Sequence, residues 1–260
     1  MNDAVTDPLV SCLCVTKRRP EHLRRAVQCF LSQTYPNTEL VVVHPHSDEE
    51  TRQCLASFGS DRLKPYPVAV PDISLGDLRN LSIEYATGDY ACAWDDDDWY
   101  SPERIAQQYA ALRASAKHVV ILTRLLVYDS NQKKSWLGCE RLWENSVFFD
   151  RRTVRALDIR YPGLNKVEDF HFVNALIKQN LVYPLHEAML YIYNIDGANA
   201  SETERFDVIK RRSAPLSEHQ NEVVRGCIEL SLSPREGYEA MQAAQFKEPM
   251  PYVRPSAIRW

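Results

Sequence analysis

The chain has 260 residues, 45% of them hydrophobic and 25% charged, with a formal charge of −4. These proportions exclude a mostly disordered chain, a collagen and a membrane bundle, and a chain of this length buries a sizeable core without disulfides or structural metal. The negative balance gives no global attraction to nucleic acid, and 8 glycines, about 3% against a background of roughly 7%, make a glycine-built phosphate cradle unexpected.

Residues 9–16 (LVSCLCVT) read as a buried strand, and Pro20 opens a helix with Leu23, Ala26, Val27, Phe30 and Leu31 on one face. A second apolar strand (39–43), a polar helix (48–58) and a short strand (66–70) follow. Residues 75–86 read as a helix stopped by Gly88. A fourth strand (90–94) runs into four aspartates, and another helix starts at Pro102 with Ile105, Tyr109 and Leu112 on one side. Strands without polar alternation, separated by helices, predict an α/β fold: a mostly parallel, doubly wound sheet covered on both faces. In such sheets ligands bind beyond the carboxyl ends of the strands, here residues 16–19, 44–47 and 95–98. The second half predicts strands at 119–128, 146–149 and 181–193, a turn at 129–132 and a helix over 168–179. From about 201 the pattern is helical and polar, and the last fifteen residues, with four prolines, predict an extended arm. We expect one compact domain with a C-terminal extension.

Seven cysteines, an odd number with no C-x-x-C, point to a reduced cytosolic protein. Cys12, Cys14 and Cys92 lie in apolar runs, where a thiol acts as a small hydrophobe. Asp3 and Asp7 argue against a signal peptide. No run reaches the ~18 apolar residues of a membrane span.

Asp95-Asp96-Asp97-Asp98 is the sharpest chemical feature. Four adjacent carboxylates repel one another, and a hard divalent cation with oxygen ligands removes that cost. The plain alternative is an acidic turn capping the next helix. Glu168-Asp169 at a helix start can complement the helix dipole or act in chemistry. Arg79 can meet phosphate or be a surface charge. His44-Pro45-His46 has no third zinc ligand nearby in sequence. The basic runs Lys17-Arg18-Arg19, Arg24-Arg25 and Lys210-Arg211-Arg212 read as solvated faces, with contact to substrate phosphate or an anionic lipid surface left open.

Together these features resemble the family 2 glycosyltransferases of the GT-A fold. The resemblance rests on PLVSCLCVTKRRPEHLRRAVQCFLSQTYPNTELVVV (8–43), LRNLSIEYATGDYACAWDDDDWYSPERI (78–105) and VEDF (167–170). It implies a GT-A domain over 1–200, with a nucleotide-sugar half at 8–100 and an acceptor half at 101–200. Residues 201–260 would then be a helical extension ending in a proline-rich arm. It also implies a metal-dependent, inverting sugar transfer from a nucleotide-sugar donor to a glycan or other hydroxyl, in surface-glycan or other glycoconjugate synthesis. Asp97 and Asp95 would hold Mn2+ or Mg2+. Thr16, Lys17, Arg19, His44, Arg79, Asp95 and Asp96 would face the donor. Asp169 would be the catalytic base and Glu168 its neighbour.

The chain departs from the family pattern at the base pocket. His44-Pro45-His46-Ser47 replaces the usual Asp-Asp-Gly-Ser, and Lys17 replaces a tyrosine, leaving the donor base open. Asp196 stands where the family often has histidine, ahead of Asn199 and Ser201. Trp136, Trp143 and Tyr161 could stack on sugars or fill the core. A nucleotidyltransferase would need a glycine-rich loop, absent from TKRRP, and an inactive binding protein of the same fold is the other alternative. Nucleic-acid partners and a membrane span are not expected; peripheral membrane contact and oligomerisation are left open.

Overall fold

The computed structural model describes residues 7–69, 72–197 and 203–246. Its first half follows the predicted alternation: β1 (Val10–Val15), α1 (Pro20–Leu31), β2 (Thr38–Pro45), α2 (Glu49–Ala56), β3 (Leu63–Val68), α3 (Leu75–Tyr85) and β4 (Tyr90–Ala93). Local chemistry sets the helix starts. Pro20 sits in the first turn of α1, and the side chains of Asp48 and Ser74 accept backbone N–H groups of α2 and α3.

Beyond the aspartates come β5 (Trp99–Tyr100), α4 (Arg104–Ala114), β6 (Val119–Leu122), β7 (Leu126–Asp129), β8 (Lys134–Leu137), β9 (Phe148–Asp150), α5 (Arg151–Ala156) and α6 (Glu168–Lys178). The chain continues through β10 (Val182–Leu185), β11 (Tyr191–Ile195), α7 (Thr203–Arg212), β12 (Ala214–Pro215), α8 (Glu218–Ile228) and α9 (Pro234–Ala243).

Two sheets result. The larger has the order β10-β6-β9-β4-β1-β2-β3, parallel except for β9. One face, through Cys12, Cys14, Leu40, Val42 and Cys92, packs on α1, α2 and α4. The other, through Leu13, Val41, Val43, Ala91 and Ala93, packs on α3, α5 and α6. Both faces are apolar because both are covered, which explains the unbroken hydrophobic strands. The seven cysteines are free thiols, and six are buried. Among the described residues no helix is long and apolar enough to cross a membrane.

The smaller sheet, β12-β8-β7-β11-β5, is the feature the sequence did not suggest. The expected strand at 119–128 is two strands, β6 and β7, in different sheets, and 181–193 likewise divides into β10 and β11. The break in the first case falls at Thr123 to Leu125, where Thr-Arg-Leu holds no glycine or proline to mark it. The segment 203–246 joins this sheet: β12 pairs with β8, and α8 packs on β7, β8 and β11. The proline-rich arm lies outside the described residues.

Gly88 does not stop α3. That helix ends at Tyr85, and Gly88 is a close-approach site: a Cβ there would lie 2.6 Å from the Leu9 carbonyl oxygen. Gly76 has the same kind of role. The loop 162–165 lies across the first turn of α3, where the N–H of Leu75 donates to Asn165 Oδ1 (2.9 Å) and that of Gly76 to the Leu164 carbonyl (2.9 Å). A Cβ on Gly76 would stand 1.8 Å from the Pro162 carbonyl oxygen. Gly76→Ala should therefore cost about 2–3 kcal/mol, the upper range for overpacking. A urea melt equal to that of the parent would disprove the interlock.

Candidate functional site

The larger sheet reverses its winding between β1 and β4: β2 and β3 lie on one side of β1, and the chain returns through α3 to place β4 on the other. This is the topological switch point, where doubly wound sheets leave a crevice beyond the strand ends. A cleft of about 860 Å³ opens there. Thr16, Lys17, Arg18 and Arg19 line it, with Pro45, His46 and Ser47, the apolar Val68, Ile73, Leu75 and Leu78, and Asp96.

The four aspartates have four different environments. Asp95 meets Arg79 Nη1 at 3.0 Å. Asp96 accepts from Thr16 Oγ1 at 2.5 Å and from Arg19 Nη1 at 3.1 Å, so it fastens the end of β1 to the end of β4. Asp97 faces the same Arg19 Nη1 at 3.1 Å. Burial, and next the Asp96 charge, push the Asp97 carboxyl up to about 7. Asp98 is fully buried, bonded to the Tyr191 hydroxyl and to the Asn194 N–H (2.8 Å), and burial followed by Asp97 raises its carboxyl well above the ordinary range. It ties the aspartate run to β11 instead of facing the cleft.

Arg79 links the two halves. Its Nη1 holds Asp95, its Nε holds Glu168 Oε1 at 3.1 Å, and its guanidinium lies 5.8 Å from the centre of the Tyr161 ring. Burial alone would lower its pKa, but Asp95, Tyr161, Glu168 and Asp169 outweigh that and raise it. Glu168 is buried, and burial raises its carboxyl against the pull of Arg79. Asp169 is half-buried in the first turn of α6, and its Oδ1 accepts the N–H of Phe170 at 2.7 Å. The residue before this pair, Val167, has a left-handed backbone (φ 57°), uncommon for a β-branched side chain, and sets the angle at which α6 begins.

The structure thus brings together Thr16, Arg19, Arg79, Asp95, Asp96, Asp97 and Glu168, with Asp169 one residue further on. Lys17 is exposed at the cleft rim. His44 is not part of the lining. Its ring is buried, Nδ1 lies 3.0 Å from the Pro45 carbonyl, and Nε2 finds no partner among the described residues. Alternation along β2 turns His44 to the α1/α2 face with Leu40 and Val42, while His46, past the end of β2, reaches the cleft. Trp143 and Tyr161 are core residues, the latter stacked on Phe172 at 4.0 Å.

Two participants were missed by the sequence reading. Arg25, read as part of a solvated run, is buried and donates to the backbone carbonyls of Asp97, Asp98 (3.2 Å) and Ile228 (2.9 Å). Asp196, noted only as a departure, accepts from Arg19 Nη2 at 2.9 Å and lies 2.8 Å from His22 Nε2. The signal for Arg25 was its place between Leu23 and Ala26 on the apolar side of α1. Asn199 and Ser201 lie outside the described residues.

A divalent cation suits this donor set. Asp95, Asp96, Asp97, Asp196 and Glu168 are five carboxylates, against the guanidinium groups of Arg19 and Arg79. The donors are hard oxygens, and one or two carboxylates with substrate phosphates suffice for Mg2+ or Mn2+. Among the described residues no three His, Cys, Asp or Glu side chains are already gathered around one metal position.

Arg79→Ala should destabilise the protein by about 3 kcal/mol, because it removes the cation paired with the buried Glu168 and the half-buried Asp95. Arg79→Lys should recover only part, since one ammonium cannot replace the fork that spans Asp95 and Glu168. Equal urea midpoints for Ala and parent would rule out the link. His44 supplies a pH test. Burial lowers its pKa, so as pH falls through about 6.5 the unfolded chain takes up the proton first and stability drops. His44→Leu should lose less melting temperature between pH 7 and pH 5.5 than the parent does; matching losses would refute this.

The glycosyl transferase family 2 model matches residues 11–180. The putative glycosyltransferase EpsE of Bacillus subtilis is 31% identical over 110 residues, 41% of this chain and 39% of EpsE. The chain spans less than half the length of several such relatives. Among solved structures, S. aureus TarS (residues 1–349) in complex with UDP-GlcNAc superposes with a TM-score of 0.61 at 16% identity, over 92% of this chain and 79% of that one. The mannosyltransferase PcManGT of Pyrobaculum calidifontis, in complex with GDP-Man and Mn2+, gives 0.58 at 13% identity over 93% and 71%. With the family model covering most of the chain and the GT-A fold shared by these neighbours, the protein belongs to glycosyl transferase family 2.

Proposed function

We propose that the chain transfers a sugar from a nucleotide-sugar donor to an acceptor hydroxyl, with inversion at the anomeric carbon. The observation that carries this reading is the Arg79 bridge, which couples the aspartates at the switch point to the helix start that bears Asp169. The nucleotide would lie in the cleft over Val15, Val68 and Leu78, with its diphosphate towards Lys17, Arg19 and Asp96. The base itself is left open, because His44 and Pro45 replace the usual carboxylates. A divalent cation held by Asp95 and Asp97 would neutralise charge on the leaving diphosphate, the Lewis-acid contribution.

Of the two acids on α6, Asp169 suits the base role better. Glu168 is already paired with Arg79, whereas Asp169 bonds only a backbone N–H among the described residues. Asp169 takes the proton of the acceptor hydroxyl as its oxygen bonds to the anomeric carbon. The bond from that carbon to the diphosphate oxygen breaks on the opposite face. Glu168 holds Arg79 in place and so keeps α6 at a fixed distance from Asp95.

Asp169→Asn keeps the shape and cannot accept the proton. With Mn2+ and a panel of nucleotide sugars and glycosyl acceptors, acceptor-dependent release of nucleoside diphosphate should fall about 10²–10⁴-fold. Binding of the nucleoside diphosphate should change little, and a chelator should abolish turnover in the parent. A normal rate with a lowered melting point would remove Asp169 from the chemistry.

A further inference from the structure

The Arg19 guanidinium stands among the carboxylates on which the proposed function depends. Its Nη1 reaches Asp96 and Asp97, each at 3.1 Å, and its Nη2 reaches Asp196 at 2.9 Å. Three acids from two separate segments are therefore drawn to one cation. Arg19 also lines the cleft, with about a quarter of its side chain exposed. We propose that Arg19 is a resident counter-ion: it occupies the aspartate run until a divalent cation loads, then turns into the cleft to meet the donor diphosphate. This proposal rests on the function argued above.

Three observations support it. First, a single Arg19 nitrogen, Nη1, is shared by Asp96 and Asp97, two adjacent carboxylates that repel each other. A dication at Asp97 and Asp95 would relieve that repulsion, and an adjoining guanidinium would oppose it. Second, Arg19 has a second tether. Asp196 holds the other arm of the fork, beside His22, so letting go of Asp96 and Asp97 need not release the side chain to solvent. Third, the backbone beneath it is pinned. Arg18 adopts φ 53° with its N–H bonded to Asp48 Oδ2 at 2.6 Å, and Asp48 is fixed in turn as the cap of α2. Movement is thus confined to the Arg19 side chain, whose planar fork suits carboxylate and phosphate alike.

The two roles can be separated thermodynamically. A fixed Arg19 would repel a metal ion and attract a diphosphate independently, leaving each ligand's effect on the other unchanged. A relocating Arg19 couples them, because whichever ligand arrives first moves the guanidinium to the other's benefit. The experiment is calorimetric titration of Mn2+ into the full chain, alone and with a saturating nucleoside diphosphate. The nucleotide used is whichever of UDP, GDP, CDP and ADP binds the parent most tightly, with correction for Mn2+ bound by free nucleotide.

Arg19→Gln, and independently Arg19→Ala, should tighten Mn2+ binding without nucleotide by about tenfold. Each should also reduce the ratio of Mn2+ dissociation constants without and with nucleotide by a similar factor. An unchanged ratio with both ligands bound would overturn the relocation and leave the transferase reading standing. Failure of the parent to bind Mn2+ or any of the four nucleotides would overturn both.

Discussion

Repulsion among carboxylates at the end of β4 is the constraint around which the cleft is arranged. Opposed or repelling charges a few ångströms apart are worth several kcal/mol in a partly buried setting, so four consecutive aspartates require an answer from every element that approaches them. Three arginines give it in different ways. Arg25 binds the backbone carbonyls of Asp97 and Asp98 and so fixes the path of the chain. Arg79 takes Asp95 at the back of the site, and Arg19 takes Asp96 and Asp97 from the front. Asp98 is handled without a cation, by a tyrosine hydroxyl and a backbone N–H in a dry pocket.

These solutions also join the site to the rest of the fold. The Arg79 fork fixes the relation of α6 to the aspartates, and the loop preceding α6 rests on the first turn of α3, the helix that carries Arg79. The smaller sheet enters through Asp98: β5 begins at the next residue and pairs with β11, which holds the Asp98 carboxyl and delivers Asp196 to Arg19. The segment that follows β11, remote from the cleft in sequence, therefore supplies one of the charges beside it.

The α/β class, the order of elements up to β4 and the strand ends beyond which the cleft opens were legible in the sequence. There, each element carries a local mark: an unbroken apolar run, a first-turn proline, a capping serine or aspartate. The smaller sheet was not legible, because its strands are two to five residues long, and two of them, β7 and β11, sit within stretches that also read as single longer strands. Thr123 to Leu125 has no glycine or proline to announce the break. Asp95, Asp96, Asp97 and Arg79 could be nominated by type and spacing. The burial of His44 could not, since a strand residue near the end of the sheet can turn to either side with a shift of one position. Arg25 was hidden by its half-buried neighbour Arg24, which made a buried hydrogen-bond donor look like half of a surface pair.

The lone antiparallel strand of the larger sheet has a consequence for how such a chain can be taken apart. β9 lies between β4 and β6, so strands β1 to β4 and strands β6 and β10 share no direct ladder and meet through a three-residue segment, Phe148–Asp150. Cutting the chain after the aspartates would expose the open edge of β4 and strip away the 162–165 cover from α3. The two halves are thus not interchangeable cassettes. A chimera that imports a foreign segment in place of the residues beyond the aspartates must bring a strand in the register of β9 and a loop that fits over Gly76.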